Sequence, residues 1–239
     1  MKNLDIFYSN YIKPYINAFW ELLYPVGISC IACKGPLGGN EKYSLCPSCY
    51  DKIHFFHKGR WIQIPSIHDN SFIRVYSPTA YDEITKKLVA RLKYNNETYL
   101  ARIMAEIMMD YLYKEELYFT TIVAVPLHAS KKISRGFNQA FLLAEYISKL
   151  SKVPNIEKGL SRHKNTKAMH LLTKEERRKN VEDAFIIRNP KEFYNQHILL
   201  IDDIVTTGAT LESCNKALVE AGAASVTAIT FARRMKEEG

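Results

Sequence analysis

Residues 198–210 read ILLIDDIVTTGAT, and this stretch decides the fold. Its four leading apolar residues are typical of a strand that is buried on both faces of a parallel sheet. Two adjacent carboxylates, Asp202 and Asp203, stand where that strand is predicted to end, and the apolar stripe of a helix begins shortly after them. Because ligands of open parallel sheets bind beyond the carboxyl ends of the strands, this junction is predicted to hold a ligand.

The turn between this strand and the helix has the composition of an anion-binding loop. A glycine-containing turn that opens a helix presents free N–H groups and the positive end of the helix dipole, which suits a phosphate. The two aspartates would repel a second phosphate, but they are good acceptors for a vicinal diol. The anion-binding turn and the aspartate pair together predict a site for a ribose 5-phosphate unit. The residues of the loop are Thr206, Thr207, Gly208, Ala209 and Thr210.

Three other interpretations of this motif compete with the ribose phosphate site. A Walker-B strand also ends in acidic residues, but the sequence has no G-x-x-x-x-G-K-[ST] segment to hold a nucleotide. A dinucleotide fold needs G-x-G-x-x-G after a strand, which is missing from the sequence as well. A purely structural turn stays open, although burying two uncompensated carboxylates is costly.

The rest of the chain alternates between helical and strand patterns. Apolar stripes predict helices over 82–94, 98–113, 137–150 and 210–221. Short apolar runs predict strands over 121–126, 184–188, 198–201 and 225–231, with a weaker strand near 157–160. A capping box of Thr173 and Glu176 predicts one more short helix. The alternation favours an α/β fold with a mostly parallel sheet flanked by helices.

Four of the five cysteines lie close together near the N-terminus. Cys30, Cys33, Cys46 and Cys49 have the spacing C-x₂-C-x₁₂-C-x₂-C, in which each pair can place two thiolates on one ion. Four thiolates complete a closed tetrahedral Zn²⁺ site, which is structural rather than catalytic. Disulfides and a redox C-x-x-C are the alternatives, and the first is disfavoured in a chain without an export signal.

The chain has a formal net charge of +8, and its positive excess lies in one block. Residues 126–180 contain 13 Lys and Arg against 4 Glu and no Asp. A concentrated positive field indicates an anionic partner, with a solvated basic surface as the alternative.

These patterns divide the chain into three parts. Residues 1–25 have aromatic and apolar side chains at helical spacing, 26–60 contain the cysteine module, and 61–239 form the α/β domain. The sequence has no run of 18 or more apolar residues and no signal peptide, so no transmembrane segment is predicted. We therefore expect a cytoplasmic protein whose membrane association, if any, is made through partners.

Several segments together resemble one branch of the type I phosphoribosyltransferases, the ComF competence family. The resemblance implies a type I phosphoribosyltransferase fold with a small N-terminal four-cysteine zinc ribbon. The loop at 198–210 alone indicates the superfamily, and the cysteine module makes the narrower match specific. The matching segments are CIAC (30–33), CPSC (46–49), VPLHASKKISRGFNQA (125–140), ERRKNVEDAF (176–185), ILLIDDIVTTGAT (198–210) and TAITFARR (227–234).

The resemblance also implies roles for individual residues. Asp202 and Asp203 would contact the ribose diol of phosphoribosyl pyrophosphate, and residues 206–210 would hold its 5-phosphate. Lys131, Lys132 and Arg135 would face the pyrophosphate, with Arg135 and the two aspartates as the catalytic set. Residues 162–172 would form a flap over the site, and Mg²⁺ would be bound mainly by pyrophosphate oxygens and water.

The reaction and the partners are also matters of resemblance. The family implies transfer of phosphoribose to an acceptor that the sequence does not identify, or descent from an enzyme with that activity. The family pattern has Gln where this chain has Met169, so the resemblance supports binding of phosphoribosyl pyrophosphate more strongly than transfer of phosphoribose. The alternative is a non-catalytic adapter in natural transformation, which binds single-stranded DNA through the zinc module and the basic block beside other competence proteins. Aromatic residues around the cysteines could stack on bases or could form the core of the small module.

Overall fold

The computed structural model describes residues 27–66, 71–163 and 184–235, with all their side chains except those of Ala129 and Lys132. The chain forms two compact units, one within residues 1–52 and one within residues 53–239. The predicted helical segment over 1–25 and the capping box at Thr173 lie outside the described residues. The predicted domain boundary at residue 60 stays a prediction.

The first unit is short and rich in turns. Its described residues, 27–52, contain a 3₁₀ turn at Lys42–Ser44 and the helix α1, Pro47–Tyr50. An isolated antiparallel bridge joins Ser29 to Pro36, and the N–H of Cys30 donates to the carbonyl of Gly35 at 2.8 Å. The first cysteine pair therefore lies in a turn, whereas Cys46 caps α1 and Cys49 lies within it.

The second unit is built on a six-stranded sheet, and most of its strand pairings are parallel. The strands run in the order β1–β2–β8–β7–β4, and β3 also pairs with β8. Only the β1–β2 hairpin at one edge is antiparallel. The bounds are β1 Ile62–Pro65, β2 Phe72–Tyr76, β3 Thr79–Ala80, β4 Thr121–Ala124, β7 His197–Val205 and β8 Ser225–Arg233.

Helices cover the centre of this sheet. They are α2 Glu83–Tyr94, α3 Leu100–Glu115, α4 Ala129–Arg135, α5 Gln139–Ser151 and α6 Ala209–Glu220. Ile198 and Leu200 belong to the buried cluster that contains the apolar stripe of α6. Side chains alternate along a strand, so Leu199 and Ile201 face the opposite side, and both are fully buried. The prediction of a buried parallel strand between helical layers is confirmed.

The strand predicted over 184–188 forms, and the one predicted near 157–160 lies later in the chain, over 160–162, but neither joins the main sheet. As β5, Leu160–Arg162, and β6, Phe185–Ile187, they pair antiparallel with each other as a separate two-stranded ribbon. In the described part of the chain, no helix has both the length and the apolarity to cross a membrane.

Candidate functional site

The two aspartates lie within the last stretch of β7. The strand continues to Val205, and Asp202 pairs in register with Thr230 of β8. Asp203 is buried, whereas Asp202 is half-buried and accepts a hydrogen bond from the backbone N–H of Asp203 at 2.8 Å. Burial, followed by the charge of Asp203, raises the pKa of Asp202 to about 8. The site therefore holds two carboxyl groups that resist carrying two charges at once.

A lysine that the motif did not include completes this pair. Lys93, in the last turn of α2, places its Nζ 2.5 Å from Oδ2 of Asp203. Burial lowers the pKa of Lys93, but the charges of Asp203 and Asp202 outweigh burial, and the net pKa is raised. The lysine is thus a counterion that makes the buried aspartate tolerable. Nothing in the helical pattern around residue 93 signals this contact, because it depends on where the tertiary fold places the end of α2.

The loop after β7 leads directly into α6. Gly208 caps that helix with φ of +81°, in the left-handed region that favours glycine. A Cβ on Gly208 would also stand 2.1 Å from Cδ1 of Ile64, so no other residue fits there unless the Ile64 side chain moves. The first N–H groups of α6 have no acceptor within the helix, and the predicted phosphate loop is formed around them. Thr206 is exposed, and Thr207 and Thr210 are half-buried.

Cationic side chains collect near the aspartates. Burial lowers the pKa of Lys131, and the charges of Arg162, Arg135 and Lys93 lower it further, so these three cations lie close enough to Lys131 to repel its charge. Asp202 in turn stabilises the charge of Arg162, whose pKa is lowered by burial. Among the described side chains, four cations therefore interact around two carboxyl groups, which leaves a field suited to an anion. The side chain of Lys132 and residues 164–172 of the predicted flap lie outside the described part of the chain.

Arg135 is held in place by two neighbours. Its guanidinium donates to Oε1 of Gln139 at 3.2 Å and to the hydroxyl of Tyr94 at 3.3 Å, and it lies 5.0 Å from the centre of the Tyr94 ring. Gln139 is buried at the start of α5, where Asn138 caps the helix by accepting from the N–H of Ala140. The capping geometry of the segment RGFNQ thereby fixes the partner of Arg135.

The four cysteines of the first unit meet at one point. Their Sγ atoms all lie within 4.8 Å of one another, with Cys33 and Cys46 at 3.8 Å. Zn–S bonds of about 2.3 Å in a tetrahedron separate sulfurs by roughly 3.8 Å, so the cluster fits a zinc ion. Burial opposes a thiolate at Cys30, but backbone N–H groups of Cys33, Cys46 and Ala32 outweigh burial and lower its pKa to about 6. The donor set is that of a closed structural site.

Comparison with known proteins decides the family. Residues 138–239 match the family described as phosphoribosyl transferase domain. Competence protein F of Haemophilus influenzae is 30% identical over 223 residues, which cover 85% of this chain and 96% of that protein. The chain belongs to the ComF family.

Two further ComF-type relatives support this assignment. Competence protein ComFC of Bacillus subtilis is 30% identical over 222 residues, or 89% of this chain and 87% of that protein. DNA utilization protein YhgH of Escherichia coli K12 is 28% identical over 193 residues, or 77% of this chain and 81% of that protein. The second unit thus has the type I phosphoribosyltransferase fold, and in this ComF protein a four-cysteine module precedes it.

Proposed function

We propose that this ComF protein binds phosphoribosyl pyrophosphate with Mg²⁺ at the carboxyl ends of β4 and β7. One observation carries the proposal: a carboxyl pair and a glycine-capped helix start adjoin a group of cations, of which Lys93 contacts Asp203 directly. The carboxyl pair suits the ribose diol, the helix start suits the 5-phosphate, and the cations suit the pyrophosphate.

Each residue has a part in this proposal. Asp202 and Asp203 accept from the ribose hydroxyls, and residues 206–210 donate to the 5-phosphate. Lys131, Lys132 and Arg135 neutralise the pyrophosphate, and Mg²⁺, bound mainly by pyrophosphate oxygens and water, supplies further positive charge. Lys93 joins this set because any ligand hydroxyl on Asp203 has to share that carboxylate with the lysine.

The chemistry that such a site allows is displacement at the anomeric carbon. The bond to pyrophosphate breaks, the leaving group takes the electron pair, and an acceptor forms the new bond. Positioning and stabilisation of the departing negative charge would supply most of the rate. Arg135, held by Gln139 and Tyr94, is the described guanidinium that we assign to the departing charge.

Calorimetry with Mg²⁺–phosphoribosyl pyrophosphate tests the assignment. The wild-type chain should release heat on binding, whereas Asp202→Asn/Asp203→Asn should lose the diol contacts and bind much more weakly. Glu220→Gln, an exposed acidic residue at the end of α6, is the matched control and should bind as the wild type does. Unaltered binding by the double variant would sink the assignment of the diol.

We also propose a role in DNA uptake, because the relatives are named competence and DNA utilization proteins. A competence strain that lacks its own competence protein F offers a test, since expression of this chain should restore transformation. The Asp202/Asp203 variant in the same strain reports whether the phosphoribosyl site serves that role. A cytoplasmic location beside other DNA-uptake proteins belongs to this proposal.

The second candidate function is a non-catalytic adapter for single-stranded DNA, favoured by the 13 basic residues over 126–180. Binding through such a block releases counterions, so its affinity should fall steeply with salt, by about 0.7 logarithmic units per decade of salt for each phosphate neutralised. An affinity that is insensitive to salt would exclude the basic block as the binding surface.

A further inference from the structure

The β1–β2 hairpin leaves one of its faces exposed at the edge of the sheet. Ile64, Ile73 and Val75 point toward the core and are buried. The alternating residues on the other side are all exposed, and we call them the hairpin face. They are Trp61, Gln63, Pro65, Phe72 and Arg74.

Two aromatic rings lie on the hairpin face. Trp61 retains 37% and Phe72 44% of the exposure of a free side chain. Cross-strand register places Pro65 opposite Phe72 and Gln63 opposite Arg74, so both rings stand on one continuous surface. Contiguous exposed apolar surface among polar residues marks a place where another molecule binds.

Arg74 is fixed between the two rings. Its guanidinium carbon lies 5.2 Å from the ring centre of Trp61 and 6.0 Å from that of Phe72. Burial, followed by the charge of Glu115, raises the pKa of the neighbouring Tyr76, and the charge of Arg74 lowers it in part. Because the guanidinium already lies against two rings, its charge is presented on the face with little loss of side-chain entropy on binding.

The charge of the hairpin face selects the kind of partner. None of its five residues is acidic, and the exposed Arg60 immediately precedes Trp61. Lys58, the next cation along the chain, lies 3.5 Å from Glu116 and is partly neutralised. A guanidinium between two π surfaces matches a polyanion that has flat groups along its backbone, and unpaired nucleotides have that chemistry.

We propose that the hairpin face is a stacking platform for single-stranded DNA. Bases stack on Trp61 and Phe72, and Arg74 contacts the phosphate between them. A duplex does not offer its base faces, so it would lack both stacking contacts. The inference rests on the DNA part of the proposed function, and it assigns that part to the second unit rather than to the zinc module.

Tryptophan fluorescence tests the platform in the full chain. The chain has two tryptophans, so Trp20→Phe leaves Trp61 as the reporter. Acrylamide should quench Trp61 in the free protein, and an oligothymidylate of about 16 nucleotides should shift its emission while a duplex of equal length should not. Phe72→Ala should weaken binding of labelled oligothymidylate by about 5- to 100-fold, the range for one lost stacking contact. Arg74→Gln should weaken it by about 10- to 100-fold, because it removes the charged contact to the phosphate.

Controls separate this proposal from the ones before it. Tyr118→Ala removes a more exposed ring at the opposite end of the sheet, beside His197, and should bind DNA as the wild type does. Both platform variants should keep wild-type binding of Mg²⁺–phosphoribosyl pyrophosphate, which also shows that they fold. Unchanged DNA affinity in the platform variants overturns the platform alone, whereas no DNA binding by the wild type overturns the DNA function with it. A Trp61 that acrylamide cannot reach means that the rest of the chain or a second copy covers the face, and this too overturns the platform.

Discussion

Lys93 and Asp203 form a largely buried ion pair inside the candidate ribose site, and removal of either partner affects stability. In Lys93→Met, Asp203 stays buried without a counterion, and we expect a loss of about 2–3 kcal/mol in the free energy of unfolding. This expected loss is no larger than the smallest losses found for fully buried ion pairs, because the side chain of Lys93 keeps some contact with water. Urea unfolding measures it.

The pair can be separated from other effects by a double-mutant cycle. Lys93→Met/Asp203→Asn removes both charges, so it should recover at least about 1 kcal/mol relative to Lys93→Met alone. Additive losses would mean that the two side chains do not stabilise each other. Phosphoribosyl pyrophosphate should bind weakly to the double variant even though the fold is restored, because the diol acceptor is gone.

Asp202 predicts a dependence of stability on pH. Its pKa is raised from 3.8 to about 8, chiefly by burial. The folded chain then holds a proton that the unfolded chain has lost, so this group makes stability fall as pH rises from about 4 to about 8. Asp202→Asn should lose that part of the slope and should exceed the wild type by at least about 1 kcal/mol above pH 8.

The slope is measured by thermal unfolding across that range of pH, with Glu220→Gln as the exposed control that should retain it. The same slope in Asp202→Asn would contradict a raised pKa at this residue. If Asp202→Asn gains stability and loses ligand binding, the Asp202 carboxyl group serves function and destabilises the fold.

The residues of the site differ in how far sequence could predict them. Asp202, Asp203 and Gly208 follow one another in a single motif, so local pattern was sufficient to propose them. Lys93 and Gln139 belong to other elements, and only packing of α2 and α5 near β7 brings them to the site. A lysine at the end of an amphipathic helix has no local signal that distinguishes it from a solvated one.

At the scale of elements, the turn from β7 into α6 depends on one glycine. Gly208→Ala puts a side chain at a positive φ and against Ile64, and we expect it to cost about 1–3 kcal/mol of stability. It should also weaken binding of phosphoribosyl pyrophosphate, because the helix start would have to shift. Unfolding and calorimetry on the same preparation measure both.

Gly222 provides the matched comparison. It has a similar φ of +89° but lies at the far end of α6, against the exposed Tyr194. Gly222→Ala should therefore cost stability without changing ligand affinity. Equal effects of the two variants on binding would mean that Gly208 acts only through the stability of the domain.

Sequence predicted β4, β7 and β8 of the central sheet and missed β1 and β2 at its opposite edge. β7 and β8 contain long apolar runs, whereas β1 and β2 are short and have polar or aromatic residues at every second position. The alternation of Ile62 with Ile64, and of Ile73 with Val75, was the signal that could have found them. The helix α4 was missed because its seven residues are too few and too basic for an apolar stripe.

At the scale of the whole molecule, the two compact units should respond differently to loss of metal. Structural zinc couples binding to folding in modules too small to fold without it, so chelation should unfold residues 27–52. The second unit has its own buried core and should keep its fold. Hydrogen exchange on the full chain should show lost protection around Cys30 and Cys49 and retained protection in β4 and β7.

The cysteines themselves provide the control for that experiment. Cys46→Ser removes one of the four sulfurs that converge in the first unit, and it should lower the zinc content of the purified chain. Cys214→Ala removes the fifth cysteine, which is buried on α6 far along the sequence, and it should leave one zinc per chain. Equal zinc content in the two variants, or protected amides over 27–52 in the metal-free chain, would contradict a structural zinc site. Loss of phosphoribosyl pyrophosphate binding together with zinc would instead show that the second unit depends on the first for its stability.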